Sequence, residues 1–332
     1  MRCCSFKFSK RIFINKFLKK KNIFQKIVWI GEYPSQHSIF VFILGLILLP
    51  IVIIKLIKNK DPYIKMASPY ILDQLMISSA LFFVYSNFFN KLKIKSLIIS
   101  NHMSPISRVA LHHANKLKIK TIYIQHVELN KSWSKINCDY FLLNGEVSYE
   151  KLKSIQREKN LSNCYITGSA KLDKIKIKKN IEEIKEISIC IGFEDNFKYT
   201  SKLIYGLLKN FKNANITIRP HPSIRNTYLR IYKDTYFMHN KINFISPHEE
   251  SLYEFLYRSD VVISGISGIF FEAGYSGCIS VVYKFNHQIK DVYNLDESNI
   301  KIFDNPNQLF SHIRYLKNKK NHRVSFKKFY DN

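Results

Sequence analysis

Asn215-Ile216-Thr217-Ile218-Arg219-Pro220-His221-Pro222 begins by alternating apolar and polar residues and is rich in β-branched types, the pattern of a short strand. The strand stops at Arg219-Pro220-His221-Pro222. Each proline there fixes φ, removes a backbone donor and pushes the preceding residue towards extended geometry. The resulting stiff turn holds a guanidinium and an imidazole beyond the carboxyl end of a strand. Ligands of open α/β sheets bind at that edge, and an arginine with a histidine suits an anion, a phosphate above all. A strand-terminating turn with two solvated side chains is the plainer alternative, and the tetrapeptide alone does not choose.

Working outward, strand-like runs are expected at 187–191, 216–218, 243–245, 261–264 and 279–283, with helical patterns at 199–208, 251–258, 269–275 and 308–316. A charge-dense stretch, 171–186, precedes them and reads as a linker. Upstream the alternation repeats, with strands at 96–100, 121–125, 140–143 and 164–167 around helices at 106–117 and 148–159. Such alternation implies parallel sheets with crossover helices. The expected architecture is α/β, two Rossmann-like domains behind an amino-terminal membrane-associated helical segment. Its divisions are 1–65, a basic, apolar segment; 66–175, a first Rossmann-like domain; and 176–332, a second. A cleft between the domains is expected to hold the ligand.

Residues 2–29 interleave lysines and arginines with aromatic and aliphatic residues, and Phe13, Phe17, Phe24 and Val28 recur near helical spacing. An amphipathic helix on an anionic membrane surface fits, as does a basic tail. Residues 39–54 form an unbroken apolar run extendable to 57 across Lys55, at the short end for a spanning helix and interrupted by Gly45 and Pro50. Membrane attachment is the preferred reading over a buried core helix, and no cleaved signal is expected. Lysines flank the run on both sides, so its orientation is not set. A further apolar helix at 69–89 carries Ser78, Ser79, Ser86 and Asn87, which favour packing against protein.

The 332 residues carry a formal net charge of +27 and are 46% hydrophobic, which excludes a disordered chain. The charge asks for an anionic partner: nucleic acid, acidic lipid or phosphorylated substrate. Abundant Lys, Asn and Ile also follow from an A/T-rich genome, which weakens that inference. Six cysteines form no CxxC pair, so neither structural zinc nor a disulfide framework is expected.

A second site signal is Ser259-Asp260-Val261-Val262-Ile263-Ser264-Gly265-Ile266-Ser267-Gly268-Ile269-Phe270-Phe271-Glu272-Ala273. A buried strand there ends in a Gly/Ser turn that opens a helix, and leading N–H groups with the helix dipole make an anion site. Ser264 and Ser267 add hydroxyls, Gly265 and Gly268 admit close approach, and Glu272 is placed to accept from ribose hydroxyls. An ordinary strand–helix turn is the alternative. The spacing matches neither a Walker loop nor the dinucleotide fingerprint.

Together, Arg-Pro-His-Pro and the Ser-Asp-Val-Val-Ile-Ser-Gly turn with Phe-Glu-Ala resemble the donor half of GT-B glycosyltransferases. They are most similar to CDP-glycerol glycerophosphotransferases and capsule polysialyltransferases, whose His-Pro motif contacts cytidine-nucleotide phosphates. Thr121-Ile122-Tyr123-Ile124-Gln125-His126 resembles the strand delivering the family's active-site histidine. Tyr165-Ile166-Thr167-Gly168-Ser169-Ala170-Lys171-Leu172-Asp173 resembles the segment closing the first domain in GT-B transferases and UDP-GlcNAc 2-epimerases. The resemblance spans roughly 94–283. Val127 stands where the family has glycine, and Gly265-Ile266-Ser267-Gly268 replaces an Asp-Tyr-Ser-Ser type of turn.

The resemblance implies a fold of GT-B type, with 66–175 the acceptor domain and 176–332 the nucleotide-donor domain, and an inverting transferase of surface or capsular polysaccharide synthesis on the cytoplasmic face of the cell membrane. Its partners would be a nucleotide-activated sugar or glycerol donor of CMP or CDP type, a glycan or lipid-linked acceptor and the membrane surface, with no nucleic acid. His126 is the base candidate, ahead of Glu194 and Asp195; His102, His112 and His113 are assigned solvated or core roles. Arg219, His221, Ser264, Gly265, Ser267, Gly268 and Glu272 are the nucleotide-binding candidates. No Asp-x-Asp pair occurs, so neither a metal nor a cofactor is expected. The alternatives are a sugar-nucleotide 2-epimerase and a non-catalytic basic protein that binds polyanions.

Overall fold

The structure, a computed structural model, describes residues 38–91, 94–131, 133–158, 161–177, 181–192, 195–222, 224, 226–236, 239–286, 295, 300–318, 326 and 329–330. The basic stretch at 2–29 and Glu194 lie outside them. The chain divides into two compact units, one running up to residue 93 with 103–113, the other comprising 94–102 and 114–332.

In the first unit, α1 (Ile39–Lys58) and α2 (Pro62–Lys91) pack on each other. Val41, Gly45 and Val52 form the buried side of α1. A Cβ on Gly45 would lie 2.9 Å from the Met76 side chain, so only glycine allows this approach. Most of the remaining apolar side chains of α1 are exposed, among them Ile39, Phe40, Ile47, Ile51, Ile54 and Ile57. Both helices are long and apolar enough to cross a membrane by length and composition.

Helix α2 starts earlier than residue 69, at Pro62, a residue preorganised for a first helical turn. Position 65 therefore lies inside a helix. Pro69 cannot donate to the Lys65 carbonyl, and the Ser68 hydroxyl does so instead at 2.9 Å. His113 is buried here, its Nε2 3.0 Å from the Phe82 carbonyl, and His112 packs its ring on Phe82.

The second unit holds two parallel sheets. The first runs in chain order: β1 (Ser96–Ile99), β2 (Lys120–Ile124), β3 (Tyr140–Leu143) and β4 (Cys164–Ile166). Helix α3 (Pro105–Lys116) follows β1 and α4 (Glu146–Gln156) follows β3. Leu97, Ile99, Tyr123, Phe141 and Leu143 share the buried face, whereas Ile98 and Ile124 on the other remain exposed.

The second sheet contains β5 (Glu186–Ile191), β6 (Asn215–Pro220), β7 (Ile242–Phe244), β8 (Val261–Ser264), β9 (Ile279–Tyr283) and β10 (Ile302–Phe303), in the spatial order β10-β9-β8-β5-β6-β7. Its helices are α5 (Phe197–Asn210), α6 (Asn226–Tyr236), α7 (Leu252–Arg258), α8 (Gly268–Ser276) and α9 (Pro306–Asn318). Every pairing is parallel and the order is that of a dinucleotide-type Rossmann sheet. One face is apolar, with Ile187, Ile189, Ile216, Ile218 and Ile263 packed against residues of α5 and α9 such as Leu203 and Phe310. The other carries Ser188, Cys190, Thr217, Arg219 and Ser264 in register. Of the helices, α6 escapes the sequence reading because its buried positions are the tyrosines 232 and 236.

Candidate functional site

The strand order of the second sheet reverses between β5 and β8, the point at which such sheets take a ligand. Three connections leave its carboxyl edge there, described at Gly192 and 195–196 after β5, 221–222 after β6 and 265–267 after β8. Since β5 lies between β6 and β8, the two predicted binding loops are next-nearest neighbours, about 10 Å apart. The His221 N–H donates to the Ile191 carbonyl at 2.8 Å, carrying the β5–β6 ladder past Pro220 and leaving the imidazole exposed.

Helix α8 opens at Ser267, whose backbone is extended and whose side chain makes no capping hydrogen bond. Ser251 behaves differently at α7, where it completes a capping box with Glu254. A Cβ on Gly268 would meet nothing within 4 Å. The start of α8 is thus open, with its dipole directed outward. On the loop after β5, Asp195 is buried, its Oδ2 accepting from the Gly192 N–H at 2.6 Å. A Cβ on Gly265 would lie 3.5 Å from Asp195 Oδ1, which places this carboxylate between the β5 and β8 loops.

Two sequence candidates are engaged inside the protein. Arg219 has a side chain only 8% exposed, paired with Glu250 at 3.6 Å and donating to the Glu250 carbonyl at 3.0 Å. Its guanidinium also lies over the Phe255 ring, 4.6 Å from the centroid. Strand alternation turns Arg219 onto a sheet face, where Arg258 shares Glu250 through bonds of 2.7 and 3.1 Å. The buried Ser264 hydroxyl donates to the neighbouring Gly265 carbonyl at 2.9 Å. Cys190, in register with both, has a thiol that burial pushes up to about 12; Arg219 opposes the shift, while Cys278, Glu272 and Asp195 add to it.

Glu272 has a side chain 13% exposed and a carboxyl raised by burial, with Lys171 pulling it back. The Lys171 ammonium lies 3.8 Å from Glu272 Oε1 and donates to the His126 carbonyl at 3.1 Å. One ammonium therefore joins helix α8 to the loop after β2.

That loop is held from several sides. Gln125 donates to the Val127 carbonyl and to the Ser148 hydroxyl, and accepts from the Asn144 N–H. His126 Nδ1 is 2.6 Å from the Ser100 carbonyl. A carbonyl can only accept, so Nδ1 carries the proton and the neutral ring has its lone pair on Nε2. That tautomer suits a general base. His102 is buried against Tyr123 and Trp133.

Glu128, two residues beyond His126, is buried, and burial raises its carboxyl to about 7 against the opposing Lys151 and Ser148. The sequence signal for it was slight: one acid placed just after the candidate histidine. Lys171 lies in the Tyr165–Asp173 segment, whose resemblance assigns it no role. No group of three or more metal-ligating side chains occurs among the described residues.

No family model and no curated protein matches the chain. Solved structures do. S. aureus MnaA in a co-structure with UDP superposes with a TM-score of 0.57 at 13% identity, over 77% of this chain and 75% of that one. A UDP-N-acetylglucosamine 2-epimerase gives 0.51 at 12% identity, over 86% and 88%. The Neisseria meningitidis UDP-GlcNAc 2-epimerase bound to UDP-GlcNAc gives 0.50 at 14%, over 87% and 91%. The chain shares their fold. This is the two-domain, parallel-sheet arrangement of GT-B type, and it accounts for both the four-stranded and the six-stranded sheet.

Proposed function

We propose that this chain is a sugar-nucleotide enzyme, a GT-B transferase that holds its donor on the six-stranded sheet. The observation carrying the reading is the pair of loops flanking β5 at the switch point, with His221 exposed on one and the open start of α8 on the other. A nucleotide phosphate fits between them, met by the His221 imidazole, the Ser267 hydroxyl and the helix dipole. Gly265 and Gly268 admit the backbone to the phosphate, and Glu272 takes the ribose hydroxyls. Arg219 and Ser264 act from behind by holding strand ends.

His126 Nε2 removes the acceptor hydroxyl proton as that oxygen attacks the donor carbon. The bond from this carbon to the phosphate oxygen breaks, and configuration inverts. The leaving phosphate is stabilised by the groups at α8. For a glycerophosphate donor the attack falls on phosphorus instead. The donor is CMP- or CDP-linked in this reading, the acceptor a glycan or lipid-linked glycan of the cell envelope or capsule.

The same proposal places the enzyme at the cytoplasmic face of the membrane, where nucleotide donors are made. The apolar exposed surface of α1 supports this, as does the net charge of +27, which favours an anionic lipid surface.

A thermal-shift comparison of CMP, CDP, UDP and GDP tests the donor site. A nucleotide at 100-fold excess over its dissociation constant stabilises the fold by about 2.7 kcal/mol; no stabilisation by any of the four refutes the assignment. The fold likeness to epimerases favours a second reading, inversion at C2 of a UDP-sugar. Product analysis after incubation with UDP-GlcNAc alone separates the two, because the transferase needs an acceptor.

A further inference from the structure

The segment after β4 is built as a strut. Gly168 takes a left-handed backbone, φ 69°, and successive turns are closed by Leu172 N–H to the Ser169 carbonyl and Ile175 N–H to the Leu172 carbonyl, at 2.8 and 2.9 Å. Leu172 is buried in a cluster with Phe270 and Phe271 of α8. This anchor sets Lys171 on the same helix that carries Glu272. From there its ammonium reaches Glu272 on one side and the His126 carbonyl on the other. His126 is thus gripped twice, by Lys171 through its backbone and by the Ser100 carbonyl through its ring.

From this geometry we infer that Lys171 is a positioning residue, coupling occupancy of the nucleotide site to the placement of the His126 loop. The inference rests on the donor-site reading above. The half-buried Glu272 carboxylate has Lys171 as the cation opposing its desolvation. A ribose hydroxyl donating to Glu272 changes what the carboxylate asks of Lys171, and the ammonium passes that change to the His126 peptide. Coupling of this kind is reciprocal, so the state of the loop also biases nucleotide affinity. The link ties the placement of the base to the state of the donor site.

Hydrogen exchange of the full chain in detergent, with and without the saturating nucleotide that binds tightest among CMP, CDP, UDP and GDP, tests the coupling. Exchange in peptides covering 125–131 is expected to slow about five-fold on binding in wild type and in Lys171→Arg, whose guanidinium still bridges. In Lys171→Met the slowing disappears, while nucleotide affinity stays within about five-fold, the span of an exposed ion pair. Lys171 is 53% exposed, so the variant is expected to fold. Equal slowing in Lys171→Met overturns the inference, as does an unresponsive loop in a wild-type protein that binds nucleotide. If none of CMP, CDP, UDP and GDP binds wild type, the donor-site reading itself falls, and the inference with it.

Discussion

Replacing Glu128 by glutamine isolates one buried carboxyl beside the candidate base and asks what it costs the fold. Burial raises this group from 4.5 to about 7, with Lys151 and Ser148 opposing. The folded state therefore holds the proton more tightly than the unfolded chain does. Its stabilising contribution is fully present below about pH 4.5 and is lost as pH rises through about 7. At about 1.4 kcal/mol per pH unit, the loss amounts to about 3 kcal/mol between pH 4 and pH 8. Glutamine has the shape of the protonated acid and does not titrate, so Glu128→Gln is expected to gain about that much on wild type across the same window. Urea unfolding of both proteins in detergent, followed by tryptophan fluorescence at pH 4, 6 and 8, measures the difference. Parallel stability curves would refute the reasoning. So would a variant that loses ground towards pH 8, since Glu128 would then be an ionised partner of Lys151 in the native state.

Arg219→Ala removes one member of a buried ion pair and is expected to cost about 3–5 kcal/mol of stability, read by chemical unfolding. His221→Ala, in an exposed turn, should leave stability within about 0.5 kcal/mol and weaken nucleotide binding about ten-fold by calorimetry; the reverse pattern refutes the division of roles. Gly274→Ala would put a Cβ 2.5 Å from Phe326 ring atoms, an overpacking expected to lower stability by about 1–3 kcal/mol; an unchanged urea midpoint refutes it. Because α1 exposes apolar side chains on most of its surface, the full chain should remain in the membrane pellet after alkaline carbonate extraction. Release into the supernatant refutes the membrane assignment.

Local composition by itself determined where the strands and most helices lie. Val261–Ser264 and Ile279–Tyr283 coincide with their apolar runs, and Pro220 and Gly265 mark strand ends as their backbone chemistry requires. It also determined that the Pro-His-Pro turn and the start of α8 emerge from one sheet edge, because parallel strands present their carboxyl ends together. Which side chains at that edge remain available was decided by tertiary structure. Alternation turned Arg219 onto a sheet face, but only packing supplied Glu250, thirty-one residues later, to hold it. Glu128 and Lys171 were visible as charges in the chain. The burial that raises one and the bridge made by the other depend on contacts with α4, the His126 loop and α8. A residue's conformational preference is a property of its neighbours in the chain, whereas its solvation and partners belong to groups brought near by the strand order. For this protein the orders β10-β9-β8-β5-β6-β7 and β1-β2-β3-β4, products of long-range pairing, set which of those groups come near.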